Sequence, residues 1–256
     1  MNIPSILGKK IMVFDLDGTI TESKSEMDAE MAALFSRVLN TMSIAVITGG
    51  GFERFALQFS ALQCSPEQQR RLFFFPTSGT RFYKFTDGWE QIYADEMTAE
   101  ERQKIKDAFV LAYKDIDYHD PEVVYGEVVE DRGTQVTFSA CGQEAPLEVK
   151  KAWKESHDRR PELAKALEKY LPDFEIKIPG VTSIDITRKG IDKAYGIQKI
   201  EELLSIPAKE MVFVGDALYE GGNDHAVIRT GVETVPVANP EETKMVIKKW
   251  LEELGG

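Results

Sequence analysis

The sequence predicts an α/β protein with an open, mainly parallel sheet that is covered by helices and interrupted by an inserted α+β domain. Short apolar runs alternate with amphipathic stretches in the first third of the chain and again near its end, which is the pattern of a parallel sheet. The stretch between them has hairpin signals and shorter, mixed elements. We therefore expect a discontinuous core of residues 1–81 and 188–256, with the inserted domain at 82–187.

The first third of the chain contains three apolar runs that predict buried parallel strands, at 10–14, 43–47 and 72–75. A helix is expected over about 25–39, where Ser25 and Asp28 are spaced as a variant capping box. A second helix is expected from Phe52 to Leu62, where apolar residues recur at helical spacing. Strand and helix thus alternate through the whole of this region.

The inserted region begins with the pattern of a β-hairpin. Aromatic and β-branched residues over 82–93 flank an Asp87-Gly88 pair, which is a strong turn signal. Helices are then expected at about 98–113 and 161–170, and strands near 123–129, 134–139, 175–178 and 183–186. Aromatic residues of the hairpin are expected to form the core of the inserted domain or a dimer contact.

The last part of the chain returns to the parallel pattern. It predicts a helix over 193–204, a buried strand over 210–214, a short strand over 234–237 and a final helix over 241–254. The final helix should bury Val246, Trp250, Leu251 and Leu254. These elements complete the core domain that the insertion interrupts.

Composition and charge narrow the function. The chain has 256 residues, 43% hydrophobic and 29% charged, enough to bury a sizeable core. Its net charge of −12 argues against a nucleic-acid or anionic-membrane partner, because both require a basic surface. Two cysteines, no signal-like N-terminal segment and no run long enough to span a bilayer lead us to expect a cytoplasmic protein without disulfides.

Polar residues follow three of the predicted core strands. Asp15 and Asp17 lie in the run Asp-Leu-Asp-Gly-Thr after the first strand, Thr48 follows the second, and Asp216 follows the strand at 210–214. The carboxyl ends of parallel strands meet at one edge of a sheet, where ligands bind. The alternative for the first motif is an ordinary acidic turn, because Asp and Gly are common turn residues.

Carboxylates gathered at one edge would repel each other by about 4 kcal/mol for a pair at about 4 Å in a medium of effective dielectric near 20. A divalent cation removes that cost, and oxygen ligands without Cys or His indicate Mg²⁺. Asp15 could then attack phosphorus and form an aspartyl-phosphate. Asp17 could protonate the leaving oxygen and later activate water.

These residues resemble the ordered motifs of the haloacid dehalogenase superfamily of phosphotransferases. Asp15 to Thr19 is similar to its first motif, Thr48 to its second, Lys193 to its third, and Gly215-Asp216 through Asn223-Asp224 to its fourth. Without this order, Lys193 would be read as an ordinary surface lysine at a helix start. Thr48 could also be a helix N-cap, a role compatible with phosphate binding because a helix N-terminus binds anions. The resemblance implies a Rossmann-like core carrying an inserted cap.

The resemblance also implies roles for single residues. Asp15 would be the nucleophile and Asp17 the acid/base. Phosphate would be bound by Thr48, Gly49 and Lys193. Mg²⁺ would be held by Asp15, Asp216 and the backbone carbonyl of Asp17, while Asp224, and with it Asn223, would contact the metal directly or through its ligands.

The size and place of the insertion resemble the type IIB cap, which sugar-phosphate phosphatases share with eukaryotic-type phosphomannomutases. The run from Gly215 to His225 is especially similar to the phosphomannomutase branch. In the cap, the segment around Arg132 resembles the one that binds the distal phosphate in mutases, but Gln143 stands where the mutases have arginine. Arg132 and Gln143 are therefore candidate substrate contacts. A further basic cluster is expected to be a solvated helix face: Lys150, Lys151, Lys154, Arg159 and Arg160.

The sequence as a whole predicts a Mg²⁺-dependent phosphatase that hydrolyses a small phosphate ester, with a sugar phosphate as the expected substrate. Hydrolysis is favoured over phosphoryl transfer to a sugar hydroxyl, because Gln143 replaces a cation that the mutases have in the cap. A phosphohexomutase is the alternative, and a non-catalytic sugar-phosphate-binding protein is the remote one. The oligomeric state is left between a monomer and a homodimer formed through the cap.

Overall fold

The computed structural model describes residues 3–22 and 25–255, except for the side chain of Arg54. They form two compact units, which we call the core unit, Met1–Ala94 with Ile191–Gly256, and the inserted unit, Asp95–Gly190. The chain therefore leaves the core unit once and returns to it once.

None of the helices in these described ranges is long and apolar enough to cross a membrane.

The strands follow in chain order: β1 (Ile11–Phe14), β2 (Ser43–Ile47), β3 (Leu72–Phe75), β4 (Arg81–Phe85), β5 (Trp89–Ala94), β6 (Val129–Asp131), β7 (Val136–Ser139), β8 (Phe174–Lys177), β9 (Ser183–Arg188), β10 (Met211–Gly215) and β11 (Glu233–Pro236). The helices are α1 (Ala29–Val38), α2 (Phe52–Gln58), α3 (Pro66–Gln69), α4 (Ala99–Asp115), α5 (Leu147–His157), α6 (Arg160–Glu168), α7 (Lys193–Leu204) and α8 (Pro240–Glu253). Short 3₁₀ turns lie at Thr77–Gly79, Ala208–Glu210 and His225–Thr230.

The core unit is built on a seven-stranded sheet with the order β11-β10-β1-β2-β3-β4-β5. The first five strands in this order are parallel, and β4 and β5 continue the sheet as an antiparallel hairpin. Along β1, Met12 and Phe14 pack into one apolar layer and Ile11 and Val13 into the layer on the other face. Both faces of the sheet are covered, which explains why its strands are uniformly apolar. The predicted α/β fold class is confirmed.

The inserted unit contains a four-stranded antiparallel sheet with the order β6-β7-β9-β8. Its apolar layer joins residues of β7 and β9 to residues of α4 and α6. Helix α4 begins with a capping box between Thr98 and Glu101, which satisfies two backbone amides at its first turn. The unit therefore has its own apolar layer and its own sheet, as an α+β insertion requires.

The unit boundary differs from the one we expected at 81/82. The hairpin of β4 and β5 pairs with β3 in the core sheet, and Phe82 stacks on Phe75 with ring centroids 4.7 Å apart. Its aromatic residues therefore belong to the core unit rather than to the cap. The reason is the edge of β3: without the hairpin, its backbone amides and carbonyls would lie unpaired at the end of the sheet.

Local boundaries also differ from the expectation at several elements. Helix α1 begins at Ala29, because Asp28 takes the N-cap position and accepts from the backbone of Met31 at 2.8 Å. The strand expected at 123–129 reduces to β6 at 129–131. Helices α3 and α5 were not among the predicted elements.

Candidate active site

Asp15 directly follows β1, at the carboxyl edge of the parallel strands. Its backbone amide donates to the carbonyl of Val214 in β10 at 3.0 Å, so the sheet register fixes the start of the loop. The residue is 3% exposed. A carboxylate so deeply buried needs a charged partner.

That partner is Lys193, the first residue of α7. Its ammonium lies 2.5 Å from Oδ1 of Asp15 and also donates to Oδ1 of Asp224. Asp192 caps the helix by accepting from the amides of Ala194 and Tyr195, which fixes the direction in which α7 begins. Lys193 is 2% exposed and Asp224 is fully buried, so the surface-lysine interpretation does not hold.

Asp15, Asp216 and Asp224 each offer one carboxylate oxygen, and these oxygens lie within 4.8 Å of one another. The neighbouring chain is shaped around them. A Cβ at Gly18, whose φ is +88°, would lie 2.7 Å from Oδ2 of Asp216, and a Cβ at Gly215 would lie 2.3 Å from Oδ2 of Asp224. Glycine is therefore required at both positions by the close approach of the carboxylates.

The charges in this cluster do not balance. Three carboxylates against one ammonium leave two net negative charges, a deficit that one divalent cation matches. An all-oxygen set with backbone nearby has the chemistry that Mg²⁺ prefers. The donor set therefore fits the expected metal. Asn223 is exposed, in contrast to its buried neighbour Asp224.

Burial controls the protonation of these groups. It raises the pKa of Asp15 to about 7, with Lys193 acting in the opposite direction and Asp224 in the same one. It also raises the pKa of Asp216, again with Asp224 adding to the shift. Burial opposes the charged form of Lys193, yet the carboxylates of Asp15 and Asp224 outweigh it and raise the pKa of the ammonium.

Thr48 follows β2 at the same edge of the sheet and is 3% exposed. Its hydroxyl accepts from the amide of Gly50 at 3.1 Å, while Gly51, not Thr48, is the N-cap of α2. Its carbonyl accepts from the amide of Ser78 at 2.8 Å, and the carbonyl of Gly50 accepts from the amide of Thr77 at 3.0 Å. The Thr48–Gly50 turn is thus held by the turn that follows β3.

This supporting turn also contacts α7. Thr77 and Ser78 both have positive φ, at 49° and 59°, which is a strained conformation for residues other than glycine. Next to them, a Cβ at Gly79 would lie 2.5 Å from the Cα of Gly196 in α7. The same turn therefore supports both the Thr48 loop and the helix that carries Lys193.

Asp17 is partly buried and lies one residue before the Gly18 turn. The side-chain amide of Gln58, the last residue of α2, donates to Oδ1 of Asp17 at 3.2 Å and to Oγ1 of Thr21 at 2.8 Å. Gln58 was not a predicted site residue. Its helical position alone gives no signal for this contact, which arises from tertiary packing.

The chain is similar to known proteins over most of its length. A sequence model of eukaryotic phosphomannomutases matches residues 31–253. The phosphomannomutase of Encephalitozoon cuniculi is 27% identical over 256 residues, covering 96% of this chain and 95% of that protein. The phosphomannomutase of Spinacia oleracea is 25% identical over 242 residues, covering 91% and 92%.

The chain belongs to the eukaryotic phosphomannomutase family. Its fold is similar to that of a solved haloacid dehalogenase-like hydrolase from Bacteroides thetaiotaomicron, with a TM-score of 0.63 at 14% identity, covering 96% of this chain and 99% of that one. The predicted superfamily and its phosphomannomutase branch are therefore confirmed. Enzymes of this family act on small phosphorylated substrates.

In this member of the phosphomannomutase family, the inserted unit brings the two candidate cap residues together. Nη2 of Arg132 lies 3.4 Å from Oε1 of Gln143, while Nε of Arg132 donates to Glu130 at 2.6 Å. Nε2 of Gln143 donates to the carbonyl of Thr137 at 3.2 Å. Asp185 lies opposite Thr137 in the sheet, and burial raises its pKa while the charge of Arg132 lowers it.

The basic cluster expected to be solvated is only partly so. Lys150 is 2% exposed, and its ammonium donates to the carbonyl of Gln143 at 3.0 Å. Arg160 is 3% exposed and pairs with Asp158 at 2.6 Å. The prediction was wrong for these two residues, because the folded loop and sheet ends bury them and supply their hydrogen-bond acceptors. Lys150 is thereby a cation beside Gln143 that sequence reasoning missed.

Proposed function

We propose that the protein is a phosphohexomutase that interconverts hexose 1-phosphate and hexose 6-phosphate through a phosphoenzyme on Asp15. The observation that carries the proposal is the cluster of buried Asp15, Lys193 and Asp224 with half-buried Asp216 in a chain of the phosphomannomutase family. Mannose phosphates are the first substrates to test, because relatives of nearly the same length are named phosphomannomutase. Simple hydrolysis, our first expectation from the sequence, has less support than this alternative.

Asp15 is the proposed nucleophile. In the first half-reaction an oxygen of Asp15 bonds to phosphorus as the bond from phosphorus to the sugar oxygen breaks, and Asp17 donates a proton to that leaving oxygen. In the second half-reaction the acceptor hydroxyl gives its proton to Asp17 and takes the phosphoryl group from Asp15. Asp17 loses a proton in the first half-reaction and regains one in the second, while Asp15 takes up and then gives back the phosphoryl group. A full cycle therefore causes no net change in protonation.

Phosphate binding is assigned to three groups around the nucleophile. Lys193 supplies a fixed positive charge within 2.5 Å of Asp15, which can offset the negative charge of an incoming phosphate. The Thr48 hydroxyl and the Gly49 amide lie in the turn at the end of β2 and are the proposed neutral donors. Their turn is rigidly supported by backbone hydrogen bonds, which keeps the cost of reorganisation low.

Mg²⁺ is the proposed cofactor. Asp15, Asp216 and the backbone carbonyl of Asp17 would hold it, with Asp224 as a further ligand or as a contact that orients Lys193. When bound, the metal supplies positive charge that offsets the charge of the transferring phosphoryl group. Asn223 is the weakest member of the proposed set, because its side chain is exposed.

Hydrolysis is the second candidate function, and Gln143 favours it. A mutase binds a sugar with phosphates at both ends, and the proposed contacts for the distal phosphate are Arg132 and Gln143. Gln143 is neutral, and Arg132 is already paired with Glu130. Weak binding of the distal phosphate would release the sugar and leave the Asp15 phosphoenzyme to water.

The two candidates differ in where the phosphoryl group ends. Mannose 1-phosphate with Mg²⁺ and a trace of hexose 1,6-bisphosphate should give mannose 6-phosphate, followed by ³¹P NMR, with free phosphate measured in parallel. We expect the 6-phosphate to exceed free phosphate, and free phosphate alone would establish hydrolysis. Asp15→Asn should abolish both products while the protein stays folded. A protein that binds sugar phosphates but turns over none of them, with or without Mg²⁺, would instead be a binding protein.

A further inference from the structure

Gln58 occupies a position that stability alone does not explain. It is 1% exposed at the end of α2, in a segment whose residues Phe55 and Phe59 belong to the apolar layer of the core unit. Its Oε1 is buried and meets no hydrogen-bond donor among residues 3–22 and 25–255. A buried amide oxygen without a donor is destabilising, whereas leucine would fill a similar volume without that cost. The contacts of the side-chain amide nitrogen must therefore offset this cost or serve a function.

The amide nitrogen of Gln58 bridges the two ends of the loop that carries Asp17. It donates to Oδ1 of Asp17 at 3.2 Å and to Oγ1 of Thr21 at 2.8 Å. The same loop is closed by a hydrogen bond of 2.7 Å from the amide of Gly18 to the carbonyl of Thr21. One side chain thus ties the Asp17 carboxyl group to a loop that is already closed by its own backbone.

The backbone at Gln58 is anchored. Its backbone carbonyl accepts from the amide of Met27 at 2.8 Å, and the nearby side chains of Phe55 and Phe59 pack against Phe74. A side chain that extends from an anchored backbone and donates to both Asp17 and Thr21 can restrict the orientation of the carboxyl group that it contacts.

We propose that Gln58 is a positioning residue that holds the Asp17 carboxyl group in the orientation needed for proton exchange with the leaving and attacking sugar oxygens. This inference rests on the proposed function, because it needs Asp17 as the acid/base. Gln58 does not contact the transferring phosphoryl group in this proposal. Its effect should therefore appear only in steps that depend on a proton from Asp17.

The test compares two leaving groups. An alkyl phosphate such as mannose 6-phosphate releases a basic alkoxide oxygen that needs a proton, whereas p-nitrophenyl phosphate releases a stable phenolate. Phosphoenzyme formation on Asp15 is measured by rapid quench for the wild type, Gln58→Leu and Asp17→Asn. We expect Gln58→Leu to slow the alkyl reaction about 100-fold, the scale of a misplaced catalytic group, and the aryl reaction less than about 3-fold, with KM within about 2-fold for both.

A double variant gives an independent readout. If Gln58 acts through Asp17, Gln58→Leu should have no further effect on the alkyl reaction in the Asp17→Asn background, because coupled residues are not additive. Gln58→Met keeps a similar length and offers neither a donor nor a charge, so it should behave like Gln58→Leu and serves if the leucine variant does not fold. Gln68→Leu is the matched control, since the amide of Gln68 bonds to Ser36 and Asn40 away from the site.

The outcomes distinguish the positioning role of Gln58 from the acid/base role of Asp17. Equal slowing of both substrates, unchanged rates, or additivity in the double variant would each overturn the role of Gln58 while leaving the mechanism intact. If instead Asp17→Asn forms the phosphoenzyme from the alkyl substrate as fast as the wild type, the proposed function fails at the acid/base. Selective loss of the alkyl reaction, absent in the Asp17→Asn background, supports the positioning role.

Discussion

Lys193 and Lys244 are both buried lysines that contact several carboxylates, but the surroundings of those carboxylates differ. Lys193 is 2% exposed, and its partners Asp15 and Asp224 are buried as well. Lys244 is 4% exposed, but the side chains of its nearest partners, Asp28 and Glu241, are 53% and 73% exposed. Replacing each lysine with methionine removes the same charge and keeps a similar volume.

The two substitutions should have very different costs. Lys193→Met leaves buried carboxylates without their cation, and breaking a buried pair in this way costs about 3–5 kcal/mol. For a unit of this size that lowers Tm by about 6–20 °C. Lys244→Met leaves carboxylates that water can solvate, so the fall in Tm should be no more than about 2–4 °C. Calorimetry without metal at pH 8 measures both values.

Two further measurements show whether charge is the cause. The folded-state pKa of Asp15, about 7, lies above its ordinary value of 3.8, so this group destabilises the fold as pH rises through that interval. The charge of Lys193 lowers this pKa, so Lys193→Met should raise it further and gain more stability than the wild type when the pH falls from 8 to 5. Mg²⁺ at 100 times its Kd should add about 2.7 kcal/mol, if the variant still binds it. Equal Tm shifts for the two variants, or a Lys193→Met loss that neither acid nor Mg²⁺ reduces, would show that unpaired buried carboxylates are not the cause of the lower Tm.

Three other substitutions test the site, and Gly8→Ala is the control for the first. Gly18→Ala and Gly8→Ala introduce the same backbone strain, with φ of +88° and +85°, which should cost about 1–2 kcal/mol in each. Only Gly18→Ala also places a Cβ against Asp216, so we expect a larger loss of stability and, by calorimetry, a weaker Mg²⁺ affinity for that variant alone. Gly79→Ala, which drives a Cβ into α7, should cost about 2–4 kcal/mol in a denaturant titration, and unchanged stability would show that α7 can shift freely. Gln143→Arg should raise the ratio of mutase product to free phosphate several-fold by ³¹P NMR; an unchanged ratio would remove Gln143 from the choice of acceptor.

The elements of the parallel sheet could be predicted from the sequence because burial on both faces leaves a strong local signal. The runs that became β1, β2, β3 and β10 are continuous apolar segments, and the polar residues after them mark the edge where ligands bind. The first motif and Thr48 could therefore be assigned to one region of the fold from local pattern alone. Lys193 required the order of several motifs, because a lysine at a helix start has no distinguishing local signal.

Other features depend on contacts between distant segments and could not be predicted. The hairpin over β4 and β5 has the same pattern in a cap as in a core sheet, and only pairing with β3 decides between them. Lys150 lies in a charged helix, where composition indicates solvent, yet a loop carbonyl from Gln143 covers it. No residue near Gln58 in the sequence indicates its contact with Asp17. In each case the deciding atom belongs to a residue far away in the chain or in another element.

The sheet order has a consequence for synthesis of the protein. Strand β1 lies between β2 and β10, so one edge of β1, next to Asp15, gains its partner only after the whole of Asp95–Gly190 has been made. At ribosomal rates of about 5–20 residues per second, this delay is on the order of 10 s. During that time the nascent chain exposes an apolar strand edge open to pairing with other chains. The residues that complete the carboxylate cluster thus also end the period in which this strand edge is exposed.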